Sequence, residues 1–186
     1  MLRNKISTLL AIALLVSLIV SACGPMAAAP TATPTAIPPL TLNTLKNAEY
    51  QSEFPKSKKA RLTDGKYEEE IVPGSASKLV IVIYPTYALG DLNGDGVNDA
   101  AVVLAANMGG SGTFVHLAAV VNQNGTPQHV ASVSLGDRVK IEAMAIKAGV
   151  ITVDVVTHGP QDPLCCPTQK ATKSFRLLAD KLAPVQ

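Results

Sequence analysis

Apolar positions in this chain follow three successive patterns. Ile6 to Val20 form one apolar run. From Gly24 to Leu40 periodicity disappears, and Ala, Pro and Thr dominate. Leu42, Leu45 and Ala48 then recur at helical spacing, with Thr41 or Asn43 able to cap the start, so a short helix is predicted there. Beyond Pro55 the period falls to two, in short runs separated by turn residues, which is the pattern of an antiparallel sheet.

The β-type runs place individual elements. Ala60 to Glu70 predicts a hairpin turning at Asp64-Gly65, a pair suited to positive φ. Leu79 to Tyr84 is apolar on both faces and reads as a central strand. Asp99–Asn107 and Thr113–Asn122 are two more, joined across Met108-Gly109-Gly110-Ser111-Gly112. Asn124-Gly125 is a strong hairpin signal. Val130–Leu135, Lys140–Lys147 and Val150–His158 follow, the last two linked at Ala148-Gly149, and Lys170–Leu178 closes the sheet. Short connections make successive strands neighbours. Strands apolar on both faces require a sheet that curls on itself or carries a cover. The predicted fold is therefore mainly β: an antiparallel meander of about seven to nine strands, as a curled sheet or small barrel, with one short N-terminal helix.

Chemistry changes the picture first at the N-terminus. Arg3 and Lys5 precede the apolar run, which is too short for a comfortable membrane span, so residues 1–22 read as a targeting signal. Val20-Ser21-Ala22-Cys23 closes that run. It resembles the lipobox of bacterial lipoproteins, which implies cleavage before Cys23, acylation of its thiol and anchoring to the bacterial cell membrane, inner or outer, on the extracytoplasmic side. An ordinary secretory signal with an incidental cysteine is the alternative. Residues 23–40 then act as a proline-rich tether, extended at about 3.1 Å per residue and able to span about 50 Å. Residues 41–186 form one β-rich domain, long enough for a hydrophobic core.

Charge excludes one class of partner. The chain holds 16 Lys+Arg and 14 Asp+Glu, and loss of Arg3 and Lys5 leaves 14 against 14. A near-neutral domain with few aromatics has no electrostatic footprint for nucleic acid. The basic run at Lys56, Lys58, Lys59 and Arg61 is followed by Glu68-Glu69-Glu70, a solvated face of mixed sign.

The richest local signal is Asp91-Leu92-Asn93-Gly94-Asp95-Gly96-Val97-Asn98-Asp99. Oxygen-bearing side chains stand at its first, third, fifth and ninth positions, a spacing that lets them converge on a hard cation. The stretch resembles the calcium loops of EF-hands, dockerins and FG-GAP repeats. Position twelve is Val102, inside an apolar run, so the helical families fit less well than the FG-GAP pattern. That resemblance implies calcium held by Asp91, Asn93, Asp95 and Asp99, with the Val97 carbonyl completing the shell. The same residue types also build metal-free turns through bonds to their own backbone. Three carboxylates in nine residues repel one another, however, and a cation offsets that repulsion.

Cys165-Cys166, flanked by Pro163 and Pro167, admits three readings: a vicinal disulfide, two reduced thiols with one buried, or a contact for a soft ion such as Cu(I). A bond between neighbouring cysteines closes a strained ring and is labile. Asp154 and His158 can share a strand face, the one acid–base pairing the pattern offers. His116, His129 and His158 fall on separate strands and read as surface or edge residues. Gly109–Gly112 precedes a strand rather than a helix, so it reads as a hairpin tip, not a phosphate cradle.

The region Tyr87–Gln169, with its Gly-Asp-Leu-Asn-Gly-Asp-Gly, Gly-Gly-Ser-Gly-Thr-Phe, Leu-Gly-Asp-Arg-Val and Cys-Cys-Pro-Thr-Gln segments, resembles bacterial envelope proteins that carry no assigned activity. Two function classes remain open. One is a non-catalytic lipoprotein that binds or assembles with an envelope protein or glycan. The other is an envelope hydrolase or a thiol or soft-metal redox protein, using Asp154/His158 or Cys165/Cys166.

Overall fold

A strand with apolar residues at nearly every position needs cover on both faces. The computed structural model describes residues 36–185 and supplies two layers of cover around such a strand. In chain order the elements are α1 (Leu42–Lys46), β1 (Glu49–Gln51), β2 (Lys59–Arg61), β3 (Lys66–Glu70), β4 (Lys78–Gly90), β5 (Asp99–Asn107), β6 (Phe114–Gln123), β7 (Thr126–Asp137), β8 (Lys140–Lys147), β9 (Val150–Thr157), β10 (Gln169–Leu178) and β11 (Lys181–Pro184). Two antiparallel meanders result, a five-stranded sheet ordered β3-β4-β5-β6-β7 and a four-stranded sheet ordered β8-β9-β10-β11. The protein is mainly β, as the periodicity indicates.

β5 lies at the centre, buried from Asp99 through Ala106. Its even-numbered residues, Ala100, Val102, Leu104 and Ala106, join Leu40, Leu45, Tyr50, Ala60 and Leu62 in one core. Its odd-numbered Ala101 and Val103 join Ile151, Val153, Val155, Phe175 and Leu182 in a second core. One face is thus covered by the N-terminal segment and the other by the second sheet. α1 has five residues, too few to be stable alone. Burial of Leu45 and a capping box between Thr41 and Thr44 hold it in place.

The architecture is two packed sheets with an added cover, and among the described residues they do not close into a barrel. Two residues separate β7 from β8, which ends against the far end of β4, where a Cβ at Gly90 would lie 2.6 Å from Ile146 Cγ2. It therefore crosses the first sheet instead of extending it. The strand count rises to eleven because β1, β2 and β11 are only three or four residues long.

Local details depart from expectation at identifiable places. Asp64 and Gly65 do adopt positive φ, of 49° and 87°. Thr63 and Lys66 bridge across this turn, with N–H···O bonds of 2.9 and 3.1 Å, but the strands beyond it part ways: β2 pairs with β1 and β3 with β4, so the expected hairpin is confined to its turn. β4 runs well past Tyr84, and its register shifts between Ile83 and Tyr87, a stretch containing Pro85, which has no N–H for a ladder. β10 does not end the sheet, because Ala179 turns at φ 53° into β11. Packing also begins before Thr41: Leu40 is 2% exposed, and the Pro38 carbonyl accepts a hydrogen bond from Asn122 Nδ2. The targeting signal and Cys23 lie outside the described residues. Among the described residues no helix is long and apolar enough to cross a membrane.

Candidate functional site

The Asp91–Asp99 stretch connects β4 to β5 as an irregular loop folded about the Asp91 carboxylate. Asp91 Oδ1 accepts N–H groups from Asn93 at 3.2 Å and Gly94 at 2.6 Å, and Oδ2 accepts from Gly96 at 2.9 Å. The Gly94 and Gly96 N–H groups hold its carboxyl below the usual carboxylate range. Asn93 Oδ1 accepts from Asp95 N at 3.0 Å, and Asp95 Oδ1 accepts from Val97 N at 2.8 Å. Asn93 Nδ2 also donates to Asp95 Oδ2 at 2.9 Å.

Asp99 differs from the rest, because it is fully buried at the first position of β5. Its Oδ2 accepts from Leu92 N and its Oδ1 from Asn122 N, both at 2.9 Å. Burial pushes its carboxyl above the usual range; these N–H groups oppose the rise, while the charges of Asp95 and Asp91 add to it. Among the described residues, no three acidic, histidine or cysteine side chains are gathered closely enough to hold a metal ion. The donor set is nevertheless all hard oxygen, the type calcium takes, and an oxygen accepting one N–H retains a second lone pair.

Three of the segments singled out in the sequence meet at another end of the molecule. Arg138, in the junction from β7 to β8, donates from Nε and Nη2 to the Ser111 carbonyl at 2.9 and 2.7 Å. It also donates to the Leu164 carbonyl and pairs with Asp137 at 2.9 Å. Asp137 Oδ1 accepts from Thr113 N at 2.7 Å. The Gly109–Thr113 connection, the Asp137-Arg138 pair and the segment before Cys165 are thereby tied together. Cys165 and Cys166 are disulfide-bonded to each other and exposed. Asp162 closes the base of their loop by accepting from Gly159 N at 2.8 Å and from Thr168 N and Oγ1, each at 2.7 Å.

The Asp154/His158 pairing does not form. Asp154 Oδ1 accepts from Thr172 Oγ1 at 2.6 Å, and the His158 ring contacts the Leu164 carbonyl at 3.1 Å. Four residues along a strand separate the two side chains by about 13 Å.

His129 lies on the edge strand β7, as expected, but it is buried instead of at the surface, 6% exposed. The register between β6 and β7 shifts at Ala119/Val120, so His129 opposes Val120 and faces the N-terminal cover instead of the second sheet. Its Nδ1 accepts from Gln51 N at 3.1 Å, which assigns the proton to Nε2, 2.8 Å from Ser132 Oγ. Burial lowers its pKa. Nearby, His116 meets the Phe54 ring edge-on at 5.5 Å, and Phe54 stacks on Phe114 at 5.6 Å. His129, His116 and Phe54 border a cavity of about 540 Å³ between the β1–β2 connection and the five-stranded sheet. Sequence spacing did not reveal the cavity, since His116 and Phe54 are brought together by the cover. Compared with protein-family models, curated proteins and solved structures, the chain shows no match.

Proposed function

We propose that this protein is a lipid-anchored extracytoplasmic module that binds or assembles without catalysing a reaction, and that calcium pins its Asp91–Asp99 loop. The observation that carries the calcium part is Asp99. A buried carboxylate whose proton affinity is raised by burial and by two neighbouring acidic side chains is a site where a cation relieves a cost. Asp91, Asn93, Asp95 and Asp99 would hold the ion, with the Val97 carbonyl available to it. Bound there, calcium supplies positive charge and joins the end of β4 to the start of β5. Its role is structural.

The non-catalytic reading is favoured over a hydrolase by where Asp154 and His158 are engaged: Asp154 accepts from Thr172, and the His158 ring contacts the Leu164 carbonyl. The anchor rests on the Val20-Ser21-Ala22-Cys23 segment. Partners are then the membrane, through the lipid on Cys23, and an envelope protein or glycan reached by the tether. Fractionation of cells expressing the wild type and Cys23→Ala tests the anchor. Wild type is expected in the membrane pellet with an acylated N-terminal cysteine by mass spectrometry, and the variant in the soluble fraction. An unmodified Cys23 in wild type contradicts the reading.

A further inference from the structure

We propose that the cavity between the β1–β2 connection and the five-stranded sheet is a binding site for a neutral saccharide. This names a ligand class for the binding module and rests on that reading. Its floor is Ile81, Leu104 and Ala106, which belong to the first core and are nearly inaccessible. Phe54 forms an aromatic wall, fixed by its stacking on Phe114 and its contact with His116.

The rim is polar. Ser132 and Ser134 both line the cavity, are exposed, and stand two residues apart on β7; Ser134 pairs across the ladder with His116. Hydroxyl and imidazole groups at that spacing both donate and accept hydrogen bonds. Burial lowers the pKa of His116 and favours its neutral ring, although Glu53 opposes this. The charged lining residues are Glu53, Lys58 and Asp180, one cation among two anions, so no single sign dominates. A strongly charged ligand would find no matching field. A sugar ring presents an apolar C–H face to the Phe54 wall and hydroxyls to a rim of mixed donors and acceptors. The cavity volume of about 540 Å³ accommodates such rings.

The test is calorimetric titration of the full chain, in a detergent without a sugar headgroup, with the N-acetylglucosamine trisaccharide and with maltotriose. Saturable binding of either, with a millimolar or tighter dissociation constant, is expected. Phe54→Ala is expected to weaken it by about tenfold. Ser134→Trp, at an exposed strand position where an aromatic residue is tolerated, is expected to abolish it by filling the rim. No heat from either trisaccharide, or binding unchanged in both variants, overturns the assignment. Acylation of Cys23 is read separately in the same preparations, so failure here is distinguishable from failure of the anchor.

Discussion

Asp99 Oδ1 accepts the Asn122 backbone N–H at 2.9 Å, linking the end of the acidic loop to the end of β6. Asn122 is itself buried. Its side chain donates to the Pro38 carbonyl at 2.9 Å and accepts from Gly125 N at 2.7 Å in the β6–β7 turn. One carboxylate thereby supports the loop, a hairpin and the first packed residues of the domain.

Asp99→Ala leaves the Leu92 and Asn122 N–H groups without that acceptor. Stranding a buried donor costs about 1–3 kcal/mol, so a total loss of about 2–4 kcal/mol is expected in urea unfolding with chelator present. Asp99→Asn retains one acceptor oxygen and should lose less. Equal stability of wild type and Asp99→Ala would show that these bonds contribute nothing.

Much of this framework was legible in the chain. Asp99–Asn107 and Lys140–Lys147 stand at their expected bounds because continuous apolar pattern and flanking turn residues agree. Asn124-Gly125 and Ala148-Gly149 turn as their chemistry requires, with positive φ at all four residues. The failures have local causes. Ala179 enters the left-handed region without a Gly or Asn to mark it, which hid β11. Asp64-Gly65 has hairpin chemistry, but Ala60 pairs with Tyr50, a choice set by tertiary packing. Of the candidate sites, the acidic loop was visible as spacing along one segment. The cavity was not, because a register shift turns His129 toward the cover and only the folded cover brings Phe54 to His116.

His129 predicts an acid-sensitive cover. Facing it are the Tyr50 ring at 5.7 Å, the Gln51 N–H and the Ser132 hydroxyl, none of which offers a carboxylate. Its folded pKa lies below the ordinary 6.5, so the unfolded chain binds the extra proton first. Stability from this group is present above pH 6.5 and is lost as pH falls, by at most about 1.4 kcal/mol per pH unit. His116, also lowered, adds a share of the same sign. Unfolding free energy measured between pH 7 and 5 should therefore fall less steeply in His129→Gln than in wild type. An identical slope contradicts the placement of His129.

Cys165 and Cys166 predict a simple thiol count. With the chain unfolded and unreduced, no thiol from this pair should titrate, and two should appear after reductant. Arg138→Ala removes one of the two partners of the Leu164 carbonyl beside the bridge and leaves only His158, so the bridge should be reduced faster in that variant than in wild type. Two titratable thiols before reduction contradict the bond.

Melting of the chain with excess calcium and with chelator tests the role of the Asp91–Asp99 loop most directly. Extracellular sites of this kind bind with dissociation constants on the order of 10⁻⁴–10⁻³ M. At a hundred times that constant, mass action adds about 2.7 kcal/mol of stability. Wild type is expected to melt higher in calcium than in chelator, and Asp95→Ala to melt at one temperature in both. A wild-type protein that melts at the same temperature in both conditions has a turn at Asp91–Asp99 and no calcium site.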